Sequence, residues 1–364
     1  MKKWTKGIFV GIAILLCGLF SLFAEMVPVP LNSERIYFKG ANYLYGDEAQ
    51  IEPLRFSREV LELPMSQLNF NPEIARMSSG IQMVFSTRSP VIQVDLLLKP
   101  FRQNQTATCR VYCDGVLDKD FTFQREQEDN SVQIDLEHND GKIHCYRIDL
   151  PSTAEAVVTG FLIDKNFDLE PIRFKAQPVY VALGDSITHG SVALEGVSCL
   201  SYPALLSQKL GYDLYNLGVG GSRVSPVIGE MLADWYQIDL ITLLIGANDF
   251  SWAGVPPERY RKKYEELLAA IRKHHPTVPL YCITLTYTTR AAGKTGDSTE
   301  AYRQVVREVV LGKRDRGDGN IFLLEGPAMS GSDDLHDWVH LSKKGNQRFA
   351  DHLYDTIVEN FLQN

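Results

Sequence analysis

Val179-Tyr-Val-Ala-Leu-Gly-Asp-Ser-Ile-Thr-His-Gly190 decides the fold: an unbroken apolar run stops abruptly at a glycine, an acid and a serine. Such a run reads as a strand buried on both faces, the kind found in parallel sheets. A buried strand that ends on Ser186 leaves a hydroxyl where an acyl group is open to attack.

Downstream, short apolar runs recur at 214–217, 240–245, 280–285 and 321–324, each of a length that suits a parallel strand. Helical patterns lie between them. Pro257 is placed as a first helical residue, followed by Tyr260, Tyr264, Leu267, Leu268 and Ile271 at helix spacing. A last helix begins near residue 342 and carries Phe349, Leu353, Ile357 and Phe361 on one face. Alternation of this kind predicts an α/β unit over 175–364, a five-stranded parallel sheet flanked by helices, with ligands bound beyond the carboxyl ends of the strands.

Upstream the texture differs. Residues 80–85, 91–98, 108–113, 121–123, 132–136, 144–150 and 157–163 read as short strands, and Asp114-Gly115 is a hairpin signal. No helical period competes, so 25–174 is predicted to be an antiparallel β-sandwich of jelly-roll type. The boundary is set in the polar, proline-bearing stretch 168–178. Tyr43, Tyr45, Phe101 and Tyr112 are candidates for stacking on sugar rings, although aromatics on strands more often fill a core. At 364 residues the chain suits two cores rather than one.

Residues 1–24 pair Lys2, Lys3 and Lys6 with an apolar run and end at Ala24, the order of a secretory signal. The protein is therefore expected to be secreted, periplasmic or at the cell surface, with no membrane contact beyond anchoring through that leader. The formal net charge of −8 sets aside nucleic acid as a partner. Beyond the leader, Cys109, Cys113, Cys145, Cys199 and Cys282 show no zinc spacing and no disulfide framework. Cys109 and Cys113 on one strand stand about 13 Å apart, too far to bridge.

Four loops near the predicted strand ends hold polar residues together: Gly184-Asp-Ser186, Asn216 through Ser222, Gly246-Ala-Asn-Asp249 and Asp337-x-x-His340. The second is rich in glycine but lacks the Lys-Ser/Thr ending of a phosphate loop. In order and spacing the four resemble the blocks of the SGNH, or GDSL-type, hydrolases, whose catalytic fold is flavodoxin-like. The resemblance implies Ser186 as nucleophile, His340 as general base and then acid, and Asp337 as the acceptor that fixes the imidazole tautomer. It also implies an oxyanion hole built from the Ser186 and Gly221 backbone N–H groups and the Asn248 amide, with no metal and no cofactor. Acyl-transfer chemistry asks for the same parts, since a hydroxyl is a weak nucleophile without a base and the tetrahedral intermediate needs fixed donors.

Each residue also has an ordinary structural reading. A serine after a strand is often a helix cap, and Asp185 is itself suited to capping. His336 rivals His340 and reads as a surface residue. His189, beside the nucleophile, is a weak candidate for substrate contact, and Trp338 either walls the acyl pocket or packs inward. Asp249 is expected to tie loops together, and His274 and His275 to mark a helix end.

The combined arrangement resembles bacterial two-domain carbohydrate acetyl esterases, which implies an acetylated carbohydrate or another small ester as substrate. A lipase-like, lysophospholipase-like or thioesterase activity on longer acyl chains is the alternative within enzymes. The polar loop 288–299 favours the small acyl group. From another class, the chain is alternatively an inactive glycan-binding protein.

Overall fold

A computed structural model describes residues 25–100, 106–124, 130–235 and 237–363. The leader read in residues 1–24, Phe101 and the side chain of Phe361 lie outside what is described.

The parallel sheet forms as the apolar runs require. Its strands are Val179–Gly184, Asp213–Gly218, Leu240–Leu244, Leu280–Ile283 and Ile321–Leu324. All four pairings are parallel, and taken in chain order the strands lie 2-1-3-4-5 across the sheet. Residues alternate between two apolar layers. Val181, Leu183, Leu217, Ile241 and Leu243 face the helices Pro226–Met231, Pro257–His274 and Thr299–Asp315. Tyr180, Ala182, Leu240, Leu244 and Tyr281 face Tyr202–Leu210 and the C-terminal helix Lys343–Gln363. In the Pro257 helix the expected face of Tyr260, Tyr264, Leu267, Leu268 and Ile271 is buried, and Phe349, Leu353 and Ile357 are buried likewise. Burial of both sheet faces is why those strands carry no polar alternation.

The N-terminal region contains two antiparallel sheets. Ile92, Val94, Leu96, Ile134 and Phe161 of one share an apolar core with Met83, Phe85, Val111, Tyr146 and Ile148 of the other. The Asp114-Gly115 hairpin joins Thr106–Cys113 to Val116–Gln124. Both turn residues have positive φ, at 50° and 81°, as a type I′ turn demands. Cys109, Cys113, Cys145, Cys199 and Cys282 are all free thiols.

One excursion carries no sign in the sequence reading. Residues 55–77 leave the antiparallel sheets and form three short helices, Arg58–Leu61, Met65–Leu68 and Pro72–Ala75. Their apolar residues, among them Phe56, Leu68, Phe70 and Met77, join the core on one face of the parallel sheet. Helices of four residues are too short to show a period, which is why no helical pattern is visible there. Among the described residues, no helix is long and apolar enough to cross a membrane.

Candidate active site

The strand Val179–Gly184 lies between Asp213–Gly218 and Leu240–Leu244, at the point where strand order reverses. Chain leaving the strands there diverges and opens a crevice above their carboxyl ends. Gly184 ends the first strand because nothing larger fits: a Cβ there would stand 2.0 Å from Thr188 Oγ1 and 2.5 Å from the Leu244 carbonyl oxygen. The chain then turns into the short helix Ser186–His189, capped by Asp185, whose carboxylate accepts from the Ile187 N–H at 3.1 Å. Asp185 is fully buried, and burial pushes its carboxyl up to about 6 despite N–H groups from Ile187, Ala247 and Gly246 and the charge of His340. It is a structural acid, as its capping position suggests.

Ser186, 154 residues away from His340 in sequence, meets it in space: Oγ to Nε2 is 2.8 Å. The other ring nitrogen, Nδ1, is 2.7 Å from Asp337 Oδ2. Asp337 Oδ1 accepts from the backbone N–H groups of Val339 and His340, so the loop holds the carboxylate in place. Its burial acts to raise its pKa, but those two N–H groups and the imidazole outweigh it and hold the carboxylate below its ordinary range. A charged acceptor at Nδ1 favours the tautomer that leaves Nε2 free to take the serine proton. His336 is exposed, and Asp334 beside it is buried, accepting from the Gly331 N–H and pairing with Arg348.

A cleft of about 250 Å³ opens over Ser186 and brings Gly221, Asn248, His340, Trp252 and Trp338 to its walls. Gly221 sits at φ +79°, a left-handed conformation that strains any other residue. Its backbone N–H has no acceptor among the described residues. Asn248 donates one amide proton to the Ser222 carbonyl at 2.9 Å, which leaves the second unused. Asp249 ties loops together, accepting from the Val224 N–H at 3.1 Å.

The other residues singled out from sequence divide. Trp338 is half-buried and lines the cleft. The 288–290 segment buttresses it: the Thr289 N–H and Thr288 Oγ1 donate to its carbonyl, and the Arg290 guanidinium lies 3.8 Å above its ring. That loop stands behind Trp338 rather than along the cleft, so its polarity says little about the acyl group. His189 is a correction. It is fully buried, out of reach of substrate: its Nε2 donates to the Ser152 carbonyl at 2.9 Å and its Nδ1 accepts from the Gly220 N–H at 3.1 Å. Burial, with Arg55 nearby, keeps its pKa well below the usual imidazole value, so it stays neutral. Tyr43, Tyr45 and Tyr112 are half-buried, the first two against the parallel-sheet core and Tyr112 beneath Arg147.

Two residues that sequence reasoning missed support the loops of the site, Arg55 the glycine-rich one and Trp252 the one that carries Asn248. Arg55 is buried without a carboxylate, and its guanidinium donates to five backbone carbonyls, those of Met77, Asn216, Gly218, Ile74 and Ala75. Burial lowers its pKa to about 9. Trp252 donates its indole N–H to Asn248 Oδ1 at 2.8 Å. An arginine on an apolar stretch gives no signal of such a cradle in sequence.

Residues 182–348 match the model of the GDSL-like lipase/acylhydrolase family. They form a GDSL-like lipase/acylhydrolase domain. Its parallel sheet has the SGNH fold. The salicylyl-acyltransferase SsfX3 from a tetracycline biosynthetic pathway aligns over 92% of this chain and 97% of its own, with a TM-score of 0.78 at 20% identity. A putative GDSL-like lipase from Bacteroides ovatus aligns over 92% and 98%, with a TM-score of 0.73 at 19% identity. The acetyl xylan esterase Est2A from Butyrivibrio proteoclasticus aligns over 93% and 98%, with a TM-score of 0.65 at 12% identity. At these identities the likeness is one of fold, and it extends over the antiparallel sheets as well as the SGNH domain. No protein of curated function matches the chain in sequence.

Proposed function

We propose that the protein is a serine esterase that removes O-acetyl groups from carbohydrate. The observation that carries this reading is the continuous chain Ser186 Oγ, His340 Nε2, His340 Nδ1, Asp337 Oδ2, with links of 2.8 and 2.7 Å. Ser186 attacks the ester carbonyl as His340 takes its proton. The oxyanion that forms lies among the Ser186 N–H, the Gly221 N–H and the second amide proton of Asn248. Collapse breaks the bond to the sugar oxygen, which leaves with the proton from His340. Water, deprotonated in turn by His340, attacks the acyl-enzyme and releases acetate and Ser186. No step calls for a metal or cofactor.

The sugar half of the reading is supported by the carbohydrate esterases among the proteins of like fold, including those from Clostridium thermocellum and Cellvibrio japonicus. It is supported also by the exposed indole of Trp252 at the cleft. In this reading 25–174 shape the substrate site, 175–364 carry the chemistry, and the leader in 1–24 directs the protein out of the cytoplasm.

Acetate release from acetylated xylan, mannan, pectin and sialoglycan tests the reading, together with covalent labelling by a serine-directed fluorophosphonate. Wild type is expected to release acetate and to be labelled, and Ser186→Ala to do neither. An unlabelled, folded wild type would favour an inactive glycan-binding protein. One observation favours a second reading, a preference for longer acyl chains: Ile74, Met77 and Val192 give the cleft an apolar wall. Hydrolysis of p-nitrophenyl octanoate well ahead of acetate would select it.

A further inference from the structure

Asn248 is held at both ends of its amide. Nδ2 donates to the Ser222 carbonyl at 2.9 Å, and Oδ1 accepts the indole N–H of Trp252 at 2.8 Å. Indole nitrogen is a donor only, so its partner must be the carbonyl end of the amide. The contact therefore decides which end of Asn248 points where, a choice the side chain's last torsion leaves nearly two-fold degenerate.

Backbone geometry makes that contact. Asn248 leads directly into a π-helical turn, Asp249–Ala253, that ends on Gly254 in the left-handed region at φ 61°. Widened turns of this kind are rare and recur at functional sites. Here the turn lays the indole of Trp252 back over the residue four positions earlier. Trp252 is 54% exposed and lines the same cleft as Ser186, Gly221 and His340.

We propose that Trp252 is a positioning residue for the reaction: its indole N–H holds the Asn248 amide in the orientation that presents a proton to the oxyanion. A flipped amide would aim its carbonyl oxygen at the developing negative charge and would also face the Ser222 carbonyl. Ser222 alone retains part of the bias. The loss of the indole N–H is therefore smaller than the loss of Asn248 itself, about one neutral hydrogen bond, or roughly fivefold to tenfold in turnover. The proposal rests on the reading of Ser186 as nucleophile and Asn248 as an oxyanion donor.

A double-mutant cycle on p-nitrophenyl acetate tests it, with kcat, KM and melting temperature measured for wild type, Trp252→Phe, Asn248→Ala and the double variant. Trp252→Phe keeps the ring and removes the N–H. The expected result is a kcat lowered about fivefold to tenfold, with KM within about twofold and the melting temperature unchanged. In the Asn248→Ala background the same substitution is expected to change kcat less than about twofold, because no amide remains to orient. Trp252→Phe with wild-type kcat, or with the same loss in both backgrounds, would overturn the assignment. A wild type inert towards acetate and longer esters alike would instead remove the esterase reading on which it rests.

Discussion

At the residue scale, adjacent acids and bases take different work because their surroundings differ. Asp185 and Ser186 are neighbours, yet Asp185 is sealed beneath the strand ends with its carboxylate spent on backbone N–H groups, and Ser186 faces a cleft and an imidazole. Asn248 shows the same division within one side chain, one amide proton spent on Ser222 and the other left over. Asn248→Ala is therefore expected to lower kcat on acetate esters by about 100- to 1,000-fold, with only a small drop in melting temperature. Paired kinetics and thermal melts check this, and near-normal turnover would take Asn248 out of the mechanism. The triad candidates and Asn248 were legible in the sequence because each sits in a short block of unusual composition next to a strand end. Trp252 was not, since a π-helical turn leaves no period to read.

At the element scale, the end of the strand Asp213–Gly218 and the glycine-rich loop that follows it are held by residues distant in the chain. Arg55 bonds the carbonyls of Asn216 and Gly218, and His189 links Gly220 of that loop to Ser152, which lies between the strands His144–Asp149 and Ala154–Asp164. Ser79 adds to the seam, donating to the His189 carbonyl and accepting from Asn216 Nδ2. Burying an unpaired N–H or carbonyl costs about 1–3 kcal/mol. His189→Phe strands one of each, at Gly220 and Ser152, and is expected to lower both denaturant stability and kcat. An unchanged unfolding midpoint would show that the seam carries no such weight. From sequence, His189 is a weak candidate for substrate contact; only the packing of residues 54–79 and 150–154 against it shows otherwise.

For the whole molecule, acid burial beneath the site makes stability depend on pH. Burial pushes Asp249 up to about 7 from 3.8, against an N–H from Val224 and the charge of Arg223, and Asp185 raises it further. A carboxyl raised in the folded state favours folding while it is protonated. That contribution is full below about 4 and is lost as pH rises through about 7. Asp249→Asn keeps an acceptor for the Val224 N–H and has no proton to lose. Its melting temperature is expected to fall less than that of wild type between pH 4 and 8, a difference of several degrees in parallel melts. Equal slopes would place Asp249 outside this linkage. Sequence by itself determined the parallel sheet, the hairpin at Asp114-Gly115 and the candidate triad, because hydrophobic period, turn chemistry and strand-end motifs are local. Tertiary structure alone decided that residues 54–77 join the parallel-sheet core, that His189 is sealed from substrate and that Trp252 reaches Asn248. These depend on which distant groups must satisfy one another's buried hydrogen bonds, and no local pattern records that.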